Sequence, residues 1–155
     1  MDGYDGRMFL TLLSLLSVEP AQPPHRFVFL GAGRFAQYAD LASLQPEGAG
    51  GRIRVFQVVE PGFTAGGAAY WGGWSWWRFD CSAGGEVDRL DFAAVREGGA
   101  EGPATPDDAP PYEAVPGGDA FEMLGAACNP DDYDTDAVTL EEAVAHGRAN
   151  LAAGG

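Results

Sequence analysis

Apolar and polar positions alternate through the middle of the chain and change to helical spacing near its end. Residues 25–30 (HRFVFL) are a short apolar run, and residues 52–59 (RIRVFQVV) are β-branched and bounded by Gly50-Gly51 and Pro61-Gly62. Both read as strands. Residues 74–81 (WSWWRFDC) and 87–95 (VDRLDFAAV) read as two more, while residues 35–40 (FAQYAD) fit either a strand or a helix. The intervals are short and Gly-rich, as antiparallel connections usually are. Residues 97–111 are Gly, Pro and acid, and read as a loop. Asp119-x-x-Glu122 then opens a helix with Phe121, Leu124, Ala127 and Cys128 at helical spacing. Thr139-x-x-Glu142 is a fuller capping box and opens a second helix to about Leu151. No internal repeat is visible.

The alternation in the Trp-rich strand sorts its side chains. Ser75, Trp77, Phe79 and Cys81 share one face; Trp74, Trp76, Arg78 and Asp80 share the other. In the next strand Leu90, Phe92 and Ala94 separate from Arg89 and Asp91. If Cys81 bonds a helix, that helix covers the first face and Trp77 and Phe79 belong to the core. Trp74, Trp76 and Arg78 are then a candidate surface for self-association, as in a homodimer, or for ligand contact. The competing reading places the two Trp over a second small core or beneath the N-terminal segment.

Composition narrows the function classes. The 155 residues carry 23 acids against 9 bases, a net charge of −14, and every base is Arg. Nucleic-acid binding by a basic footprint is excluded on that balance. Residues 97–142 hold 13 of the acids and no base, an acidic face that keeps the chain solvated or docks a basic partner. Gly 23 and Pro 11 are too many for a helical bundle, yet 46% of the residues are apolar, enough for a core.

Residues 8–18 (MFLTLLSLLSV) are continuously apolar. The run is shorter than the ~20 residues of a membrane span and has the length of a signal-peptide core. Asp2 and Asp5 precede it and Arg7 is its only positive flank. It reads as a degenerate secretion signal, with a core helix as the alternative. Cleavage would fall near Ala21, with Glu19 at a position that favours a small residue, and no Cys follows to carry a lipid anchor. Pro20, Pro23 and Pro24 form a linker.

Gly31-Ala-Gly33-Arg-Phe-Ala36 matches G-x-G-x-x-A after an apolar run, and Glu60 stands where a ribose-binding acid would. Gly31, Gly33 and Glu60 are therefore candidate nucleotide-binding residues of an oxidoreductase. The fold would then need a further crossover helix and parallel strand, and the sequence that follows has no helical period. The alternative is a Gly-rich turn between antiparallel strands.

Cys81 and Cys128 are the only cysteines, in no C-x-x-C pair, with only His25 and His146 to complete a metal set. Zinc does not fit, and neither Cys has a base partner in sequence for nucleophilic work. One disulfide is the economical reading if the chain is exported. Asp132, Asp134 and Asp136 begin like a calcium loop, but Ala137 replaces the required Gly and Ala143 the required Glu. They read as a solvated helix leader, and no metal site is expected.

The order of these features resembles the surface-adhesin protein E family of exported bacterial domains. The matching residues are Tyr38-Ala-Asp40-x-x-Ser43-Leu44, the strand RIRVFQVVE, the aromatic strand ending in Phe79-Asp80-Cys81, Arg89-Leu90, Tyr112-Glu-Ala-Val-Pro116-Gly117, and a short helix ending in Ala127-Cys128. They cover about residues 26–129. The resemblance implies an α+β fold: an antiparallel sheet of about six strands, with a helix tied to one face by a Cys81–Cys128 disulfide. The chain departs from that pattern by a further, acidic C-terminal helix. The resemblance makes residues 35–40 a strand and Gly31–Gly33 a hairpin turn. Residues 1–25 are then signal and linker, 26–129 the domain, and 130–155 an acidic extension. The implied function is a non-catalytic adhesin-like binding module of the periplasm or cell surface, without cofactor. Its name-giving members bind extracellular-matrix proteins, and haem binding by a dimer is reported for them; no residue here carries either activity over. A nucleotide-dependent enzyme and a ligand-free envelope protein are the alternatives.

Overall fold

A computed structural model describes residues 24–154. The apolar run at 8–18 lies outside the described residues. Nine strands form one antiparallel sheet that curls into a half-barrel. They are β1 (Phe27–Ala32), β2 (Ala36–Glu47), β3 (Gly50–Val58), β4 (Thr64–Ala65), β5 (Ala68–Asp80), β6 (Glu86–Arg89), β7 (Asp91–Arg96), β8 (Thr105–Pro106) and β9 (Tyr112–Glu113). The order is β1-β2-β3-β5-β6-β9, with β4 and β7 also paired to β5, and β8 to β7. The sheet is thus larger than the six strands expected, and the molecule is mostly sheet. The surplus is three two-residue strands, too short to carry a period in sequence.

Two helices, α1 (Asp119–Cys128) and α2 (Leu140–Ala153), pack on opposite faces. Strand alternation supplies both cores. Val28, Leu30, Ala39, Leu41, Ile53, Val55 and Phe79 face Met123, Ala126 and Ala127 of α1. Phe27, Tyr38, Phe56, Val58, Trp74 and Val95 face Ala143 and Val144 of α2. A sheet covered on both sides reads as near-continuous apolar runs, which is why HRFVFL and RIRVFQVV show so little alternation. Cover of the second face by α2 is not among the expectations from sequence.

α1 begins at Asp119 as expected, but the cap is Gly118, and Asp119 spends its carboxylate on the Gln37 amide. Phe121, expected on the packed face, is 40% exposed; Met123 and Ala126 take the buried positions instead. Residues 130–139 carry the chain round the β1 edge, from the α1 side to the α2 side. Here Phe27 donates its N–H to the Ala137 carbonyl at 2.9 Å, Asp136 donates to the Phe27 carbonyl at 2.8 Å, and Phe29 donates to Asp136 Oδ2 at 2.7 Å. Asp136 is therefore an edge acceptor. The Thr139–Glu142 capping box forms in full. α2 lies close because Gly147 has no side chain: a Cβ there would stand 2.9 Å from Val58 Cγ2 and 3.1 Å from Tyr38 Cε2. Cys81 and Cys128 are bonded, with Cα atoms 5.8 Å apart, and fasten the end of α1 to the end of β5. Among the described residues no helix is long and apolar enough to cross a membrane.

Candidate functional site

The Gly31–Gly33 segment is a hairpin turn. β1 and β2 are antiparallel, with Ala32 opposite Ala36, and residues 36–47 are strand. The helix N-terminus that a dinucleotide pyrophosphate requires is not formed there. Glu60, just past β3, does line a shallow cleft with Gly33, Arg34 and Phe35. These residues come to one place for a different reason, the return of β3 beside the β1–β2 turn.

The Trp74, Trp76 and Arg78 set divides. All three face the α2 side, opposite Trp77 and Phe79, as the alternation requires. Trp74, however, is only 3% exposed. It stacks on Phe27 at 5.7 Å and tilts against Phe56 at 4.9 Å, and the Arg54 guanidinium lies 4.2 Å above its ring. It is core beneath the segment before β1, whose His25 ring lies 5.7 Å away, as the competing reading places it, and no partner can reach it. Farther along β5 this face is more open among the described residues. Trp76 is half-buried and Arg78 is exposed. Across the β3–β5 ladder Arg52 stands opposite Arg78, and Arg54 opposite Trp76. An open cleft of about 470 Å³ is lined by Gln45, Arg52, Trp76, Leu90 and Asp91. Arg54 pairs with Glu101 at 2.7 Å and Arg78 with Asp88 at 3.5 Å, while the Nε atoms of Arg52 and Arg54 are buried without a partner among the described residues.

The expected face assignment in the following strand fails at one point. Arg89 pairs with Trp77, and Trp74 with Ala93, so the chain gains a residue between β6 and β7. A bulge of that kind reverses the parity of everything after it. Leu90 therefore lies with Trp76, while Phe92 and Ala94 join Arg89 on the α1 side. The Asp91 carboxylate accepts the Trp76 N–H at 2.8 Å and so replaces a ladder carbonyl.

This shift builds a groove on the α1 side that strict alternation could not foretell. Its polar part, about 320 Å³, lies between the start of α1 and the sheet, with Gln37, Gln57, Trp77, Arg89, Tyr112 and Asp119 around it. Its apolar part, about 300 Å³, is walled by Phe35, Phe63, Tyr70 and Phe92 over Gly72 and Gly73. Gly73 is needed: a Cβ would collide with the Phe92 ring. Burial raises the Tyr112 pKa, and the nearby Asp119 and Asp107 carboxylates push the same way against Arg89.

Neither histidine stands out in sequence, yet each bonds a residue of β2. His25 Nδ1 lies 2.7 Å from the buried Asp40 carboxylate, which also accepts the Arg26 and Ala42 N–H groups. His146 Nδ1 lies 2.6 Å from the Tyr38 hydroxyl. These pairs anchor the segment before β1, and α2, to the sheet. Burial first, and then the Asp136 charge, raises the Tyr38 pKa above its ordinary value of 10.0. A folded-state pKa above the unfolded one means a contribution that is whole below pH 10 and is lost as pH rises beyond it. Unfolding curves above pH 10 should fall more steeply for the wild type than for Tyr38→Phe, and equal slopes would contradict the assignment.

No protein-family model, curated protein or solved structure matches the chain.

Proposed function

We propose that this chain is a non-catalytic, extracytoplasmic binding module of the bacterial envelope, adhesin-like in the sense of the surface-adhesin protein E family. The observation that carries the reading is the half of the α2-side face that is left open among the described residues. There Arg52, Arg54, Trp76 and Arg78 stand in cross-strand register. Like charges directly opposite one another, as Arg52 and Arg78 are, cost stability in a free sheet. Trp and Arg are also the side chains that gain most when a partner excludes water. An oxidising compartment is where a Cys81–Cys128 bond persists. The partner in this reading is a protein, a second copy of the chain included.

Trp76→Ala and Arg78→Ala test it. Sedimentation of the wild type should reveal self-association, or binding to envelope or matrix proteins should saturate. Each variant should weaken that association by about tenfold or more at unchanged thermal stability. Unchanged association in both variants would remove the face from the function.

A further inference from the structure

We propose that the α1-side groove is a binding site for a small free carboxylic acid with an apolar body. The site is distinct from the Trp76–Arg78 face, which lies on the other side of the sheet. Its apolar part is an open groove walled by aromatic rings and floored by glycine backbone, with almost no polar surface within it. At about 30 Å³ per water-sized group, its 300 Å³ holds a ligand body of about ten heavy atoms. Gln57 lines both parts, so they adjoin.

The charge at the junction selects the ligand. The Arg89 guanidinium lies 5.1 Å from the Phe92 ring centre, over the wall of the apolar part, and also lines the polar part. Its Nε is taken: it donates to Ser75 Oγ at 3.1 Å and stands 3.5 Å from Asp107 Oδ2. Its two terminal nitrogens, Nη1 and Nη2, hold no hydrogen bond among the described residues. They form the fork that grips a carboxylate with two parallel bonds. The other charges in reach are acidic. Asp107 is already against Nε, and Asp119 is held by the Gln37 amide. Ser75 is itself buried and fixes the guanidinium from below. An acid head on Arg89 and an apolar body among Phe35, Phe63 and Phe92 fill both parts at once. A cation would meet Arg89, and an alcohol would forgo the charge-assisted bonds.

Octanoate, whose apolar chain fits within that volume, is the probe. Calorimetric titration of the full, oxidised chain should give one saturable site. Octanoate should bind at least about tenfold more tightly than 1-octanol, and octylammonium should not bind. Arg89→Gln should bring octanoate down to the level of 1-octanol. Phe63→Asp, on an exposed hairpin, keeps the proposal testable if Arg89→Gln misfolds, and it should weaken octanoate by a similar factor. Trp76→Ala should leave octanoate binding intact, which separates this site from the partner face. Absence of saturable binding, equal affinity for octanoate and 1-octanol, or octanoate affinity unchanged in the folded variants would overturn the proposal.

Discussion

Trp74→Ala should lower the unfolding free energy by about 3–5 kcal/mol, while Trp76→Ala, two residues along the same strand and on the same face, should cost no more than about 1 kcal/mol. The two side chains share orientation and differ in cover. Trp74 is enclosed by His25, Phe27, Phe56 and Arg54. Removing its indole leaves a cavity that neighbouring rings cannot fill and strips Arg54 of its stacking surface. Trp76 loses contacts on one side only, against Arg54 and the strand edge. Urea unfolding followed by circular dichroism would compare them. Equal midpoint shifts would mean that Trp74 is no more enclosed than Trp76.

Breaking the disulfide should cost about 4 kcal/mol, the chain-entropy value for a loop of this length; the two cysteines are 47 residues apart. The loop includes β6 to β9 and all of α1, so the unfolded chain regains freedom over a long central stretch. The loss should be local as well as global. α1 rests on the sheet through Met123, Ala126 and Ala127, two of them small. Its last residue is held by the bond itself, and its first turn has no side-chain cap. The Cys81→Ser/Cys128→Ser variant should therefore show the destabilisation in denaturant and faster amide exchange across residues 119–128 than elsewhere. An unchanged midpoint would mean that packing alone holds the helix.

Long periodic segments of the fold are legible in the sequence. The β-branched run over 52–59, the capping box at Thr139 and the D-x-x-E start at Asp119 each mark an element that forms, because local propensity and tertiary packing agree there. The alternation in residues 74–81 correctly separates Trp77 and Phe79 from Trp74, Trp76 and Arg78. It cannot say which stretch of the second face is covered. His25 and Phe27 reach Trp74 only through the fold, and no spacing within β5 reports where a distant segment comes to lie. The groove is hidden for a sharper reason. Its key contact, Arg89 beside Phe92, depends on one inserted residue at Leu90–Asp91, and nothing in a run of VDRLDF marks where the register slips. The one available hint is Asp91, a short acceptor inside a strand pattern, suited to receive the Trp76 N–H that the bulge sets free.

The strap at residues 130–139 decides how the sheet can meet other chains. An edge strand with open N–H and C=O groups invites β-augmentation, in which a foreign segment adds as one more strand. At β1 the Phe27 N–H and C=O and the Phe29 N–H are spoken for by Asp136 and Ala137, one of them through a side-chain carboxylate that mimics a backbone carbonyl. The strap thus acts as a built-in terminator of strand addition. Asp136→Ala would free the Phe29 N–H and reopen part of that edge, so the acidic run before α2 guards against runaway sheet extension as well as keeping the chain solvated.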